Sequence, residues 1–313
     1  MIDTAIILAA GRGSRLKQVT ATRSKGLVPI AGRPMIGRVI DALQDSGISK
    51  FIVVRAPHDE ELAQFCSAIP GAVTVVQPQP LGSGHALQQC APLAPESFLV
   101  CACDSLIPSS DISRLIAAHD ARAVATLSII EVPSDTSLGS RSVVTMSGDT
   151  VLDFIEKPGP GERLSNISSL PLYILSQDIF PELATLTPSA RGEIELPQAF
   201  RSLIKKGRLV NGVLASERFD LTDQNDLLSL TRLFLDSQEP AVQIHHSVLV
   251  PPSTTIVPPI LIEEGATIAE EVTIGPSVYI ERGATIEQGS SLEYAIVLRG
   301  APASGKVSHQ VVS

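Results

Sequence analysis

Apolar positions follow two different rhythms along this chain. Up to about residue 130, short β-branched runs alternate with segments whose apolar residues recur every three or four positions. The run "TAIILAA" precedes the helical pattern "PMIGRVIDALQDSG", and "KFIVVRAP" precedes "DEELAQFCSAI". "AVTVVQ" precedes "GHALQQCAPLA", and "SFLVCAC" closes the series. Strands that are apolar without interruption, separated by helices, predict a parallel sheet covered on both faces. Between Ala123 and Tyr173 the pattern turns strand-rich ("AVATLSII", "RSVVTM", "TVLDFIE", "SLPLYIL"). Helices return at Leu196 to Lys206 and Asp223 to Asp236.

The second rhythm begins after "DSQEPAVQ", which reads as a linker. Ile244, Val250, Ile256, Ile262, Ile268, Ile274, Ile280, Ile286, Leu292 and Leu298 fall six apart. Neither a helix face nor an alternating strand has this period. A hexapeptide β-helix does, with about 18 residues per three-sided coil, so these positions predict roughly three coils. The boundaries that follow are residues 1–236, a linker at 237–243, the repeat at 244–300 and a loosely ordered tail at 301–313. Such a prism suits assembly, so a homo-oligomer formed through it is expected.

Composition narrows the functions. The net charge of −9 argues against a nucleic-acid partner that grips a basic surface. No apolar stretch is long enough to span a membrane, and the first residues read as a strand rather than a leader. Cys66, Cys90, Cys101 and Cys103 show neither metal-ligand spacing nor a disulfide framework. A reduced, cytoplasmic protein is the expectation.

In a parallel sheet the ligand rim lies at the carboxyl ends of the strands. Three segments follow strands there: "GRGSRL", "QPQPLGSGH" and "CDSLIP". The first lacks both the third small residue of a dinucleotide fingerprint and the G-K-[ST] of a P-loop. It does bring Gly11 and Gly13 together with Arg12, Arg15 and Lys25, so backbone N–H groups and cations stand ready for a polyphosphate.

The stretch "LAAGRGSRL…SKGLVPIAGRPMI" resembles the opening signature of the sugar-1-phosphate nucleotidylyltransferases, the NDP-sugar pyrophosphorylases. "QPQPLGSGHAL", "CDSLI", "FIEKP", "SNISSLPLY", "RGEIEL" and "FDLTDQNDL" are similar to later landmarks of that family, in order. The resemblance implies a Rossmann-like, mainly parallel α/β catalytic domain followed by a short left-handed parallel β-helix. It implies condensation of a nucleoside triphosphate, UTP or dTTP favoured, with a sugar-1-phosphate to give an NDP-sugar and pyrophosphate.

By the same resemblance Arg15 and Lys25 hold the triphosphate, and Asp104 and Asp220 bind Mg²⁺. Leu8, Ala9, Ala10 and Gly11 form the floor under the base, with Gly13 and Ser14 in the phosphate loop. Gln77, Gly82 and Ser83 read the base. Gly139, Glu156 and Asn166 meet sugar hydroxyls, and Lys157 and Arg191 approach the sugar phosphate. His85 reads as a helix-start residue that packs or caps. Three family glycines are replaced, by Cys103, Pro171 and Thr222. Two alternatives therefore stay open: a non-catalytic regulatory or scaffold homologue, and an enzyme for a non-sugar phosphate or phosphonate.

Overall fold

The computed structural model describes residues 2–11, 13–133, 141–159, 165–189 and 192–313. The chain divides into two compact units. The first comprises residues 1–11 and 38–219, the second residues 12–37 and 220–313.

Nine strands build the sheet of the first unit: β1 Thr4–Leu8, β2 Lys50–Arg55, β3 Ala72–Val76, β4 Ser97–Ala102, β5 Ala125–Glu131, β6 Ser142–Ser147, β7 Thr150–Glu156, β8 Ile167–Ser176 and β9 Val210–Leu214. Their order is β3-β2-β1-β4-β8-β5-β9-β7-β6. The strands β3, β2, β1 and β4 run parallel, with Ile6 of β1 opposite Ile52 on one side and Val100 on the other. Beyond β4 the pairings to β8 and from β8 to β5 are antiparallel. The uninterrupted apolar strands are buried as their composition requires: Ile6, Val54, Phe98, Val100 and Leu127 lie in one core. Phe200 packs edge-on against Phe154 and Tyr173 in the same core.

The helices form where apolar spacing and end chemistry agree. In α1, Met35–Asp45, the buried residues are Met35, Ile36, Val39, Ile40 and Leu43. The helix stops before Gly47, which adopts φ 90°. In α2, Glu60–Ser67, Asp59 caps the N-terminus by accepting from the Leu62 amide at 3.3 Å. The next helix, α3 at Ser83–Gln88, is shorter than its pattern suggested. Two more helices are α4 at Ser109–Ala118 and α5 at Ile179–Thr185. In α6, Leu196–Lys205, a Glu195–Gln198 capping box and Pro197 start the helix.

The second unit joins the glycine-loop segment to the hexapeptide prism. A tight hairpin, Pro29–Ile30 against Arg33–Pro34, turns through Ala31 (φ 44°) and Gly32 (φ 80°). Positive φ at both turn residues matches strand twist in a two-residue loop. A side chain at Gly32 would stand 2.8 Å from Leu261 Cδ2 of the prism, so glycine permits this packing. Then α7, Gln224–Asp236, is capped by Asp223 and Asp226.

The prism has three parallel faces of five, four and three strands, forming a short left-handed β-helix. Ile262, Ile268, Ile274, Ile280, Ile286 and Leu292 stack inside, each at most 5% exposed. The regular period ends at Leu292. Ile280 pairs with Val297, not Leu298, and Ile286 pairs with Ala303. The residues from 302 onward, expected to be loosely ordered, add a strand to each face: Pro302–Ala303, Lys306–Ser308 and Val311–Val312. Among the described residues no helix is long and apolar enough to cross a membrane.

Candidate active site

At the rim of the first unit, each strand end hands its backbone to a neighbour. The Ala9 amide donates to Val54 C=O (2.8 Å), Cys103 to Leu8 C=O (3.2 Å), and Gln77 to Arg55 C=O (2.9 Å). Leu8, Ala9, Ala10 and Gly11 thus extend β1 between its neighbours. Ala9 is buried, Leu8 and Ala10 are half-buried and Gly11 is exposed. A side chain at Gly11 would meet nothing within 4 Å, so open space lies above it.

Gln77 leaves the end of β3 with its side chain 5% exposed. Its Nε2 donates to Gly82 C=O at 3.0 Å and approaches His85 Nδ1 at 3.1 Å. Gly82 has φ 99°, and a Cβ there would fall 2.6 Å from Ile194 C=O. Both conditions demand glycine. The loop is tied to the segment before α6: Ile194 N–H donates to Leu81 C=O and Gly84 N–H to Ile194 C=O. Ser83 Oγ accepts from the Leu196 amide at 3.0 Å, so its hydroxyl secures the start of α6. The expectation that His85 sits at a helix start holds, and its ring additionally joins Gln77 to Gln89.

Asp104 follows β4, beside buried Cys103. Burial, reinforced by the Asp104 charge, pushes the Cys101 thiol up to about 12. All four cysteines are buried free thiols. In the same unit, Glu156 ends β7 and Lys157 follows at φ 51°. They line a cleft of ≈ 380 Å³ with Ser189, Glu195, Gln198 and Arg201. Arg201 also pairs with Asp153 at 3.2 Å. No motif pointed to Gln198 or Arg201. Their signal is only their spacing along α6, where positions 197, 198 and 201 share a face. Asn166 precedes β8 and its carbonyl accepts from Val132. Gly139 and Arg191 lie outside the described residues.

In the second unit, Gly13 (φ 61°) heads a 3₁₀ helix at Ser14–Thr20. Its carbonyl accepts from Leu16 N–H (2.9 Å) and Thr20 Oγ1 (3.1 Å). A Cβ at Gly13 would stand 3.1 Å from Lys25 Cβ, so the glycine loop folds directly over the buried Lys25 stem. Ser14 and Arg15 remain exposed on the first turn. Asp220 opens the other stretch of this unit. The cap of α7 is Asp223, not Asp220, and Thr222 N–H donates to Asp226 Oδ2 at 2.7 Å.

The three replaced glycines need no special backbone. Cys103, Pro171 and Thr222 are absent from the positive-φ residues. Pro171 occupies the register shift of β8 between Ser169 and Tyr173, where its missing N–H breaks no ladder bond.

The first unit is thus an α/β sheet whose strand-end rim carries a glycine-dependent loop beside a buried glutamine. The chain belongs to the nucleotidyl transferase family, whose model matches residues 4–236. It is 31% identical over 265 residues to a bifunctional protein GlmU of Methanococcus maripaludis, covering 84% of this chain and 61% of that protein. The chain therefore spans less than two thirds of that relative. Over 322 residues it is 30% identical to a glucose-1-phosphate thymidylyltransferase of Streptomyces griseus, covering 96% and 88% of the two chains. A UDP-glucose pyrophosphorylase solved with UDP-glucose shares the fold at TM-score 0.67 and 22% identity, over 76% of this chain and all of that one.

Proposed function

We propose that this chain is a sugar-1-phosphate nucleotidylyltransferase using UTP or dTTP. The observation that carries the reading is the rim of the first unit: a buried glutamine amide bonded to a loop where only glycine fits, at the same strand-end rim as Leu8–Gly11, with open space above Gly11. The names of relatives that act on glucose-1-phosphate support the substrate class, among them the uridylyltransferase AglF of Haloferax volcanii, 29% identical over 212 residues.

The reaction needs no protein nucleophile. An oxygen of the sugar phosphate, already ionised, attacks the α-phosphorus while the bond to the β-phosphate oxygen breaks, and pyrophosphate departs with that electron pair. Alignment and charge neutralisation are then the protein's tasks. Arg15 and Lys25 hold the triphosphate and take up charge on the leaving pyrophosphate. Glu156, Lys157 and Asn166, with Gly139 and Arg191, receive the sugar phosphate. The cleft beside Glu156 and Lys157 supports that assignment and adds Arg201 to it.

Among the described residues no three His, Cys, Asp or Glu side chains gather as a metal cage. A pair of carboxylates suits Mg²⁺, which takes one or two of them and completes its shell with phosphate oxygens and water. Asp104 and Asp220 would hold it, and when bound it supplies charge neutralisation for the phosphates. Self-association through the prism belongs to the same proposal, supported by Leu249, 86% exposed, on its first coil. Four reduced, buried thiols support a cytoplasmic setting.

The test is pyrophosphate release from each of the five common nucleoside triphosphates with a panel of sugar-1-phosphates, with and without EDTA. Metal-dependent release with UTP or dTTP is expected. Binding of nucleotide without turnover across the panel would instead identify a regulatory homologue.

A further inference from the structure

His85 sits where it can decide what Gln77 presents. The amide nitrogen of Gln77 has two hydrogens. One goes to Gly82 C=O at 3.0 Å, and the other points at His85 Nδ1, 3.1 Å away. None of the described residues donates to Gln77 Oε1, and that oxygen is not sealed from solvent. The side chain is otherwise buried. A glutamine can ordinarily offer either end of its amide. This one has its nitrogen consumed internally and its oxygen left over.

Which end is left over depends on the imidazole. A neutral ring has one lone pair and one N–H. With the lone pair on Nδ1, the Gln77 amide is locked as described. With a proton on Nδ1, the amide would have to turn its oxygen toward the ring, and that oxygen would then face Gly82 C=O, two acceptors against each other. On the other side of the ring, Gln89 Nε2 approaches His85 Nε2 at 3.3 Å while donating to the backbone carbonyl of His85 at 3.1 Å. A single lone pair cannot serve both amides. Turning either amide would set its oxygen against a backbone carbonyl; Gln77 is the shorter contact and the more buried partner, so half-buried Gln89, after the end of α3, is the one that swings away from Nε2.

We propose that His85 is a positioning residue that fixes Gln77 with its carbonyl oxygen toward the base, so that the site selects a pyrimidine carrying N3–H over one carrying an N3 lone pair. This deepens the reading of Gln77 as the base reader and rests on it. Uracil and thymine offer N3–H to a lone acceptor, whereas cytosine opposes it with N3. Keeping the comparison among pyrimidines holds ring size constant.

The test is calorimetric binding of UTP, dTTP and CTP as magnesium salts to the full chain and four variants. Wild type binds UTP and dTTP more tightly than CTP. In His85→Ala one of the amide's two acceptors is gone, Gly82 C=O alone holds its orientation, and the UTP-over-CTP ratio falls about 3- to 10-fold, the value of one hydrogen bond. In His85→Asn an amide oxygen stands roughly where Nδ1 stood, and the ratio returns to within about 2-fold of wild type. His85→Phe, which keeps the ring volume without an acceptor, should behave like alanine. Equal weakening of all three nucleotides in the alanine and phenylalanine variants would mean that His85 only packs, and would overturn the proposal.

Gln77→Ala separates the two layers. If it collapses the ratio while His85→Ala leaves it intact, His85 plays no part and Gln77 still reads the base. Should Gln77→Ala leave the ratio unchanged, the base-reader assignment itself fails, and the proposal with it. Wild type binding CTP as tightly as UTP contradicts both.

Discussion

Lys25 shows how residue-scale chemistry follows from a neighbour without a side chain. Gly13 takes a left-handed conformation and lies against the Lys25 stem, so the first carbons of that side chain pack directly against the glycine loop. Replacing Lys25 by Met keeps the volume and removes the charge. We expect kcat/KM for pyrophosphate release to fall about 10²- to 10³-fold, with little change in Tm. A parallel loss of Tm would mark the lysine as structural. Glu263 gives a pH prediction from a different part of the chain. Tyr279 Oη and the Arg282 amide donate to its carboxylate, at 2.8 and 3.1 Å, yet burial dominates and raises its pKa above the ordinary 4.5. Because the folded form holds its proton to higher pH, its stabilising contribution is complete below the unfolded value. That contribution is lost as pH rises through the raised one. Melts of Glu263→Gln between about pH 4 and 7 should therefore decline less with rising pH than those of wild type. At this scale the sequence was informative where a motif fixes spacing, as for Gly13, Lys25, Gln77 and Gly82. It was silent on Arg23 and Glu281, 258 positions apart, because no period connects them.

Those two residues matter at the scale of elements. Arg23, in the glycine-loop segment, makes a two-pronged ion pair with Glu281 of the prism at 2.7 and 3.0 Å, both side chains under 10% exposed. Glu281 also accepts from the Arg299 amide at 2.8 Å, while the Arg299 guanidinium donates to Thr22 C=O. Within the second unit the glycine-loop segment is thus tied to the coils through Arg23 and Thr22. Breaking one partner of a buried pair leaves the other charge uncompensated. Glu281→Ala should cost about 3–5 kcal/mol in urea unfolding of this unit, and an effect below about 1 kcal/mol would place the pair in the weak surface class. The prism also shows how far a period can be read. Six-residue spacing located the coils correctly, since each interior position must be small or aliphatic. It failed after Leu292, where corner residues such as Tyr294 (φ 47°) and Gly305 (φ 67°) lie on shortened sides of the coil while the strand pattern continues. For the same reason the final residues read as a tail although Val307 and Val311 are buried. Deleting residues 301–313 uncovers three strands and should lower the melting temperature of the prism by several degrees, about 4–8 °C per kcal/mol for a unit of this size. An unchanged melt would show that these strands contribute nothing.

At the scale of the whole molecule, the chain passes from the first unit into the second at Gly11, returns within α1, and leaves again at Asp220. The family match, residues 4–236, runs across both units. Gln77, Gly82, Asp104 and the cleft beside Glu156 belong to the first unit, and Arg15, Lys25 and Asp220 to the second. The sheet was legible in the alternation of apolar strands and amphipathic helices, and the prism in its period. The division itself was not, because a compositional boundary at residue 237 conceals the earlier excursion of residues 12–37.

Isotope exchange is the most direct test of the central claim that the chain transfers a nucleotidyl group. Labelled pyrophosphate, Mg²⁺ and UDP-glucose or dTDP-glucose would be incubated with the protein, and the nucleoside triphosphate recovered. The account predicts label in UTP or dTTP that depends on both the sugar nucleotide and the metal, and that disappears in Asp104→Asn. A folded protein that binds the sugar nucleotide but leaves the triphosphate unlabelled, across a panel of sugars, would contradict it.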